Sequence, residues 1–113
     1  MTDAAFSFST RPGKAEGTII LKLNGPLTLS NMFTFQNEFR SLKPACLIVD
    51  MTDVPYMDSA GLGLLMNAFV LAQDEHRRFL VAGVNARIMA LLEMTHTDQV
   101  LALYPTVDEA EAS

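Results

Sequence analysis

Few residues of this chain are spaced for catalysis. His76 and His96 stand twenty residues apart, and neither has a carboxylate or thiol at ligand spacing on its own segment. Solvated or locally hydrogen-bonded rings are expected there, with no metal site and no cofactor. Gly61-Leu62-Gly63 has no third glycine and no Lys-Ser/Thr pair, so it is neither a dinucleotide fingerprint nor a phosphate loop. Ser59, His96 and Asp50 supply the residue types of a nucleophilic triad, but Ser59 lies outside a G-x-S-x-G elbow. Asp50, Asp53 and Asp58 crowd the end of an apolar segment, as cation ligands or as turn-forming and capping carboxylates; the second role needs nothing beyond the chain. Cys46 sits in Ala45-Cys46-Leu47-Ile48-Val49 and reads as a buried, inert thiol.

One segment is left that a hydrophobic core does not explain. Tyr56-Met57-Asp58-Ser59-Ala60-Gly61-Leu62-Gly63 puts small polar residues and two glycines where a loop enters a helix. Asp58 or Ser59 can cap the first turn by accepting a backbone N–H. Each glycine costs a helix about 1 kcal/mol relative to Ala, so the pair calls for tight packing against a sheet or close approach of a partner backbone. Free N–H groups and the helix dipole favour an added anion at such a start, which makes a serine there a sensible phosphorylation switch.

The elements that position this segment are legible. Phe6 and Phe8 alternate with Ser7 and Ser9, Arg11-Pro12-Gly13-Lys14 turns the chain, and Thr18–Leu23 returns it as a strand stopped by Asn24-Gly25-Pro26. Ser30 or Asn31 caps a helix carrying Met32, Phe33, Phe35, Phe39 and Leu42, which Pro44 ends. Cys46–Met51 is a nearly continuous apolar run, as in a strand buried on both faces. A second helix from Asp58-Ser59 carries Leu62, Leu65, Met66 and Phe69; Phe79–Val84 is another buried strand. Asn85 caps a third helix with Ile88, Leu91 and Leu92 inward, broken by Thr95–Asp98. Val100–Tyr104 reads as a last strand and Thr106–Ala112 as a short acidic helix with Asp108 and Glu109 in its first turn. The order β-β-α-β-α-β-α-β-α predicts an α/β fold, a mixed central β-sheet flanked by about four α-helices, over a single domain at 1–113.

Composition narrows the function classes. The 113 residues carry eight Lys or Arg against thirteen Asp or Glu, a net charge of −5, and no basic cluster, which argues against nucleic-acid binding. One Cys excludes an internal disulfide and a cysteine zinc site. Met1–Thr10 has neither a basic start nor an apolar core, so no signal peptide is predicted, and no apolar run is long enough to insert in a membrane. A reducing, cytoplasmic setting is the expectation.

Leu47-Ile48-Val49-Asp50-Met51, Val54 and Met57-Asp58-Ser59-Ala60-Gly61-Leu62-Gly63 resemble the STAS domain family, which includes the anti-sigma factor antagonists. Leu23-Asn24-Gly25-Pro26-Leu27 is similar to that family's L-x-G-x-L turn, and Phe79–Asn85 to its next strand and loop. The resemblance implies the STAS fold and a binding module in place of an enzyme. It implies docking on an anti-sigma factor/serine kinase, release of a sigma factor, phosphorylation at the start of the second helix, and a phosphatase that resets the switch. The partner-binding residues so implied are Tyr56, Met57, Asp58, Ser59, Gly61 and Leu62.

Two positions depart from the family pattern. The usual phosphoacceptor precedes the first glycine, and here that position is Ala60; Ser59, the phosphoacceptor candidate, is one residue earlier and points roughly 100° away around the helix. Thr28 stands where antagonists commonly carry Asp. Three readings follow: Ser59 is a substitute acceptor, the protein is a non-phosphorylatable binding module, or it is a STAS subunit of a lipid-transport ABC system docked on its ATPase.

Overall fold

A computed structural model of the chain describes residues 6–113. The start of the segment read for a signal peptide, residues 1–5, lies outside them, as does the side chain of Met32. Five strands, β1 (Ser7–Pro12), β2 (Thr18–Asn24), β3 (Cys46–Asp53), β4 (Arg78–Ala82) and β5 (Ala102–Tyr104), form one sheet in sequence order. β1 runs antiparallel to β2, and the other three pairings are parallel, so the sheet is mixed. Four α-helices connect or follow the strands: α1 (Met32–Ser41), α2 (Ser59–Asp74), α3 (Ala86–Met94) and α4 (Val107–Glu111).

β3 is central, and every residue from Cys46 to Asp50 is buried together with Met51. Its pleat sends alternate side chains to opposite faces. Leu47, Val49 and Met51 meet Phe35 and Phe39 of α1, Leu65 of α2, and Ile88 and Leu92 of α3. Cys46 and Ile48 face the other way, with Ile20, Leu80 and Ala110 of α4. The continuous apolar run of this strand thus follows from having helices on both sides.

The structure corrects four local readings. Arg11 and Pro12 belong to β1, paired with Ile20 and Ile19, and the turn comes later, where the Gly13 N–H donates to the Thr18 carbonyl at 2.8 Å. β1 is an edge strand, where a proline without an N–H donor is tolerated. Phe33 does not share the buried face of α1: it is 66% exposed, while Phe35 and Phe39 are buried with ring centroids 4.0 Å apart. Asn31 occupies the N-cap position without a side-chain cap bond, and its amide instead donates to the Pro26 carbonyl. Val100 is not in the last strand. The N–H groups of Val100 and Leu101 donate back to the Thr97 carbonyl at 3.1 and 3.0 Å, closing a 3₁₀ turn at Thr97–Gln99, so pairing with β4 begins at Ala102.

Candidate functional site

Because β2 and β3 are parallel, the chain leaves both at the same end of the sheet, and the loops into α1 and α2 run side by side. Leu27 and Met57 form an isolated parallel bridge: the Leu27 N–H donates to the Tyr56 carbonyl at 3.1 Å, and the Asp58 N–H to the Leu27 carbonyl at 3.2 Å. Asp58 then uses both carboxylate oxygens. Oδ1 accepts from the Gly61 N–H at 2.8 Å, capping α2, and Oδ2 accepts from the Leu29 N–H at 3.1 Å, tying in the loop that enters α1.

The third helix start is laced to the same loop. Asn85 Oδ1 accepts from the Ile88 N–H at 2.8 Å, and its amide donates to the carbonyls of Pro55 at 3.0 Å and Val54 at 3.3 Å. Two residues on, the Arg87 guanidinium lies 5.0 Å from the centroid of the Tyr56 ring. The starts of α1, α2 and α3 therefore form one surface, with Asp58 and Asn85 as its polar joints.

Side chains of the predicted segment divide by depth. Tyr56 is 39% exposed and Ser59, the first residue of α2, is exposed. Asp58 and Ala60 are partly covered, and Met57, Gly61 and Leu62 are buried, so these three support the surface from below. Leu29, 62% exposed, stands beside the segment through its N–H bond to Asp58, and Phe33 is exposed on the first turn of α1; neither is among the partner-binding residues that the resemblance implies. The available signal for Leu29 was an apolar residue between Thr28 and Ser30 in a polar loop. The signal for Phe33 is that it stands two residues before Phe35, about 200° around the helix from the Phe35–Phe39 face.

The two glycines have different explanations. A Cβ at Gly61 would lie 2.3 Å from the Leu27 carbonyl oxygen, so tight packing against the neighbouring loop requires glycine there. A Cβ at Gly63 would meet nothing within 4 Å, and the residue is exposed. No contact among the described residues offsets the roughly 1 kcal/mol that Gly63 costs the helix.

The other aspartates are engaged separately. Asp50, buried on the α4 side, accepts from the Thr52 N–H at 3.0 Å and the Thr52 hydroxyl at 2.6 Å. Asp53 pairs with Lys22 at 3.2 Å, both about half exposed. His76 and His96 occupy left-handed turn positions just past α2 and α3. Asp50, Ser59 and His96 are thus distributed over three different structural settings. No helix among the described residues is long and apolar enough to cross a membrane.

Comparison with known proteins gives consistent results. A family model described as "STAS domain" matches residues 12–110. The anti-sigma F factor antagonist of Paenibacillus polymyxa is 25% identical over 92 residues, covering 78% of this chain and 79% of that protein. The solved structure of an anti-sigma factor antagonist from Mycobacterium paratuberculosis superposes with a TM-score of 0.81 at 18% identity, covering 94% of this chain and 91% of the other. A sulfate transporter family protein from Wolinella succinogenes superposes with a TM-score of 0.78 at 21% identity, covering 87% and 84%. At those identities the two structures speak to the fold alone.

Proposed function

The chain belongs to the STAS domain family, and from that premise we propose that it is an anti-sigma factor antagonist acting in the cytoplasm. In this reading it docks on an anti-sigma factor that is also a serine kinase, and the bound sigma factor is released. The observation that carries the reading is the joined start of α1 and α2: Asp58 ties the Leu29 N–H to the α2 cap, and Ser59, Tyr56, Leu29 and Phe33 on these two entrances are all exposed. Burying the last three against a partner supplies the apolar centre of a modest, reversible interface, and Arg87 and Asp58 supply polar edges. Relatives such as the Paenibacillus polymyxa protein, named as an antagonist of this kind, support the same role.

Ser59 is the phosphoacceptor in this proposal. Its hydroxyl is exposed at the first position of α2, whereas Ala60 is partly covered and has no hydroxyl to offer. A phosphate there sits next to the positive end of the helix dipole, so it need not unfold the domain. Its effect falls on docking, because nearly two negative charges would be desolvated beside the Asp58 carboxylate. A phosphatase would restore the binding form.

The alanine at position 60 favours a second reading, a constitutive binding module that its kinase cannot switch off. One experiment separates the two. Wild type and Ser59→Glu are titrated by calorimetry against serine-kinase anti-sigma factors purified from the source genome, and modification with ATP is followed by mass spectrometry. The switch reading expects at least a tenfold loss of affinity, about 1.4 kcal/mol, for Ser59→Glu and phosphate at Ser59. Equal affinity with no modification supports the constitutive module, and fast modification elsewhere rejects Ser59.

A further inference from the structure

We propose that the slot between α1 and α2 binds a single-chain carboxylate, a fatty acid of medium length. This goes beyond the docking reading and uses neither Ser59 nor any other residue of that surface. The slot lies where β3 and β4 begin, at the other end of the sheet from the α2 entrance. Its floor is apolar, made by Phe39 of α1, Leu47 of β3, Leu64 and Ala68 of α2, and Phe79 of β4. All of these but Ala68 are buried, and the Phe39 and Phe79 ring centroids are 5.8 Å apart. Arg40 and Arg77 line the same slot, and no carboxylate among the described residues does.

Two arginines on one slot, in a chain whose net charge is −5, make a local cationic field that calls for an anion. Arg40 suits the last turn of α1 through the helix dipole, but that role does not account for Arg77. The Arg77 side chain is only 13% exposed, and burying a guanidinium is costly unless its donors are met. Its Nε and Nη2 donate to Glu75 Oε1 at 2.9 and 2.6 Å, whereas Nη1 has no hydrogen-bond partner among the described residues. A ligand carboxylate accepts from those free N–H groups in the planar geometry a guanidinium favours. The space selects the rest of the ligand. The cavity measures about 50 Å³, where about 10–15 Å³ already admits one water, so it takes one slender alkyl chain and no ring system.

The test titrates the full chain, labelled with nitrogen-15, with octanoate and with 1-octanol, each below the concentration at which it aggregates. Octanoate should give saturable shifts at the amides of residues 64–71 and of Phe79, and 1-octanol should bind roughly tenfold more weakly for want of the charge-assisted contact. Arg40→Met, at an exposed position that leaves the Arg77–Glu75 pair intact, should weaken octanoate by about fivefold. Ala68→Leu fills the slot while keeping both charges, and should abolish the saturable shifts. If Ala68→Leu does not fold, Arg40→Met and the 1-octanol comparison decide the matter. Equal affinity for the two ligands, no saturable shift with octanoate, or octanoate binding unchanged in the folded variants overturns the proposal. None of these results bears on docking at the start of α2, so the two readings stand or fall separately.

Discussion

Alanine at Gly61 and alanine at Gly63 should move the stability of the free protein in opposite directions, although the positions are two residues apart on one helix. At Gly63 the new methyl group meets nothing within 4 Å, so the substitution only relieves the backbone entropy of glycine and stabilises by about 1 kcal/mol. At Gly61 the same gain is available, but the methyl carbon would lie 2.3 Å from the Leu27 carbonyl oxygen and 2.9 Å from its carbon. Those are backbone atoms, so relief requires the loop before α1 to retreat by about 1 Å, an overpacking cost of about 2 kcal/mol. The retreating carbonyl also accepts the Asp58 N–H at 3.2 Å. Losing that bond adds about 1 kcal/mol. Against the propensity gain, the net effect at Gly61 is about 2 kcal/mol of destabilisation, and the two variants should differ by about 3 kcal/mol. Urea denaturation followed by circular dichroism reads this directly, with midpoints separated by about 1–3 M. Two variants shifted in the same direction would refute the claim that Leu27 makes glycine necessary at position 61. Amide exchange at Asp58 gives a second readout, with protection falling in Gly61→Ala alone.

Asp58 should show a graded response because its two oxygens serve two loops. Asp58→Ala removes the α2 cap and the tie to Leu29, about 2 kcal/mol together, while Asp58→Asn keeps one acceptor and loses about 1 kcal/mol. Urea midpoints rank the variants, and unaltered exchange at both the Gly61 and Leu29 amides in the alanine variant would count against the two-loop role. On α1, Phe35→Ala should cost about 3–5 kcal/mol, whereas Phe33→Ala should stay within about 0.5 kcal/mol of wild type. Comparable losses at both positions, measured by thermal or urea unfolding, would mean that the exposed and buried faces of α1 are wrongly assigned.

Much of the fold was legible before any coordinates. Period-two and helical spacings, with punctuation at Asn24-Gly25-Pro26, Pro44 and Asn85, yield the order of elements, and the apolar run at Cys46–Met51 identifies the strand covered on both faces. The cap at Asn85 follows from the local preference of short polar side chains for free N–H groups, whereas Thr106, read as the first residue of the last helix, precedes α4 as its N-cap. Less legible were the places where two rules compete locally. Pro12 reads as a turn residue until β1 is known to be an edge strand, and Val100 reads as strand until its N–H group is seen donating backward to Thr97.

The segment Asp58-Ser59-Ala60-Gly61-Leu62-Gly63 carries the resemblance to the family and the position of the proposed docking surface in its own residue types, because capping, helix entry and glycine cost act over a few neighbouring residues. Which of its members face a partner is a different kind of question. Leu27 and Leu29 lie about thirty residues upstream of Met57 and Asp58, and only the parallel pairing of β2 with β3 brings the two loops together. That pairing buries Met57, Gly61 and Leu62, leaves Ser59 and Gly63 in the open, and adds Leu29 and Phe33 to the surface. Local preferences can write a helix and its cap into the sequence, but burial depends on which distant segment arrives alongside, and that is decided by the packing of the whole sheet.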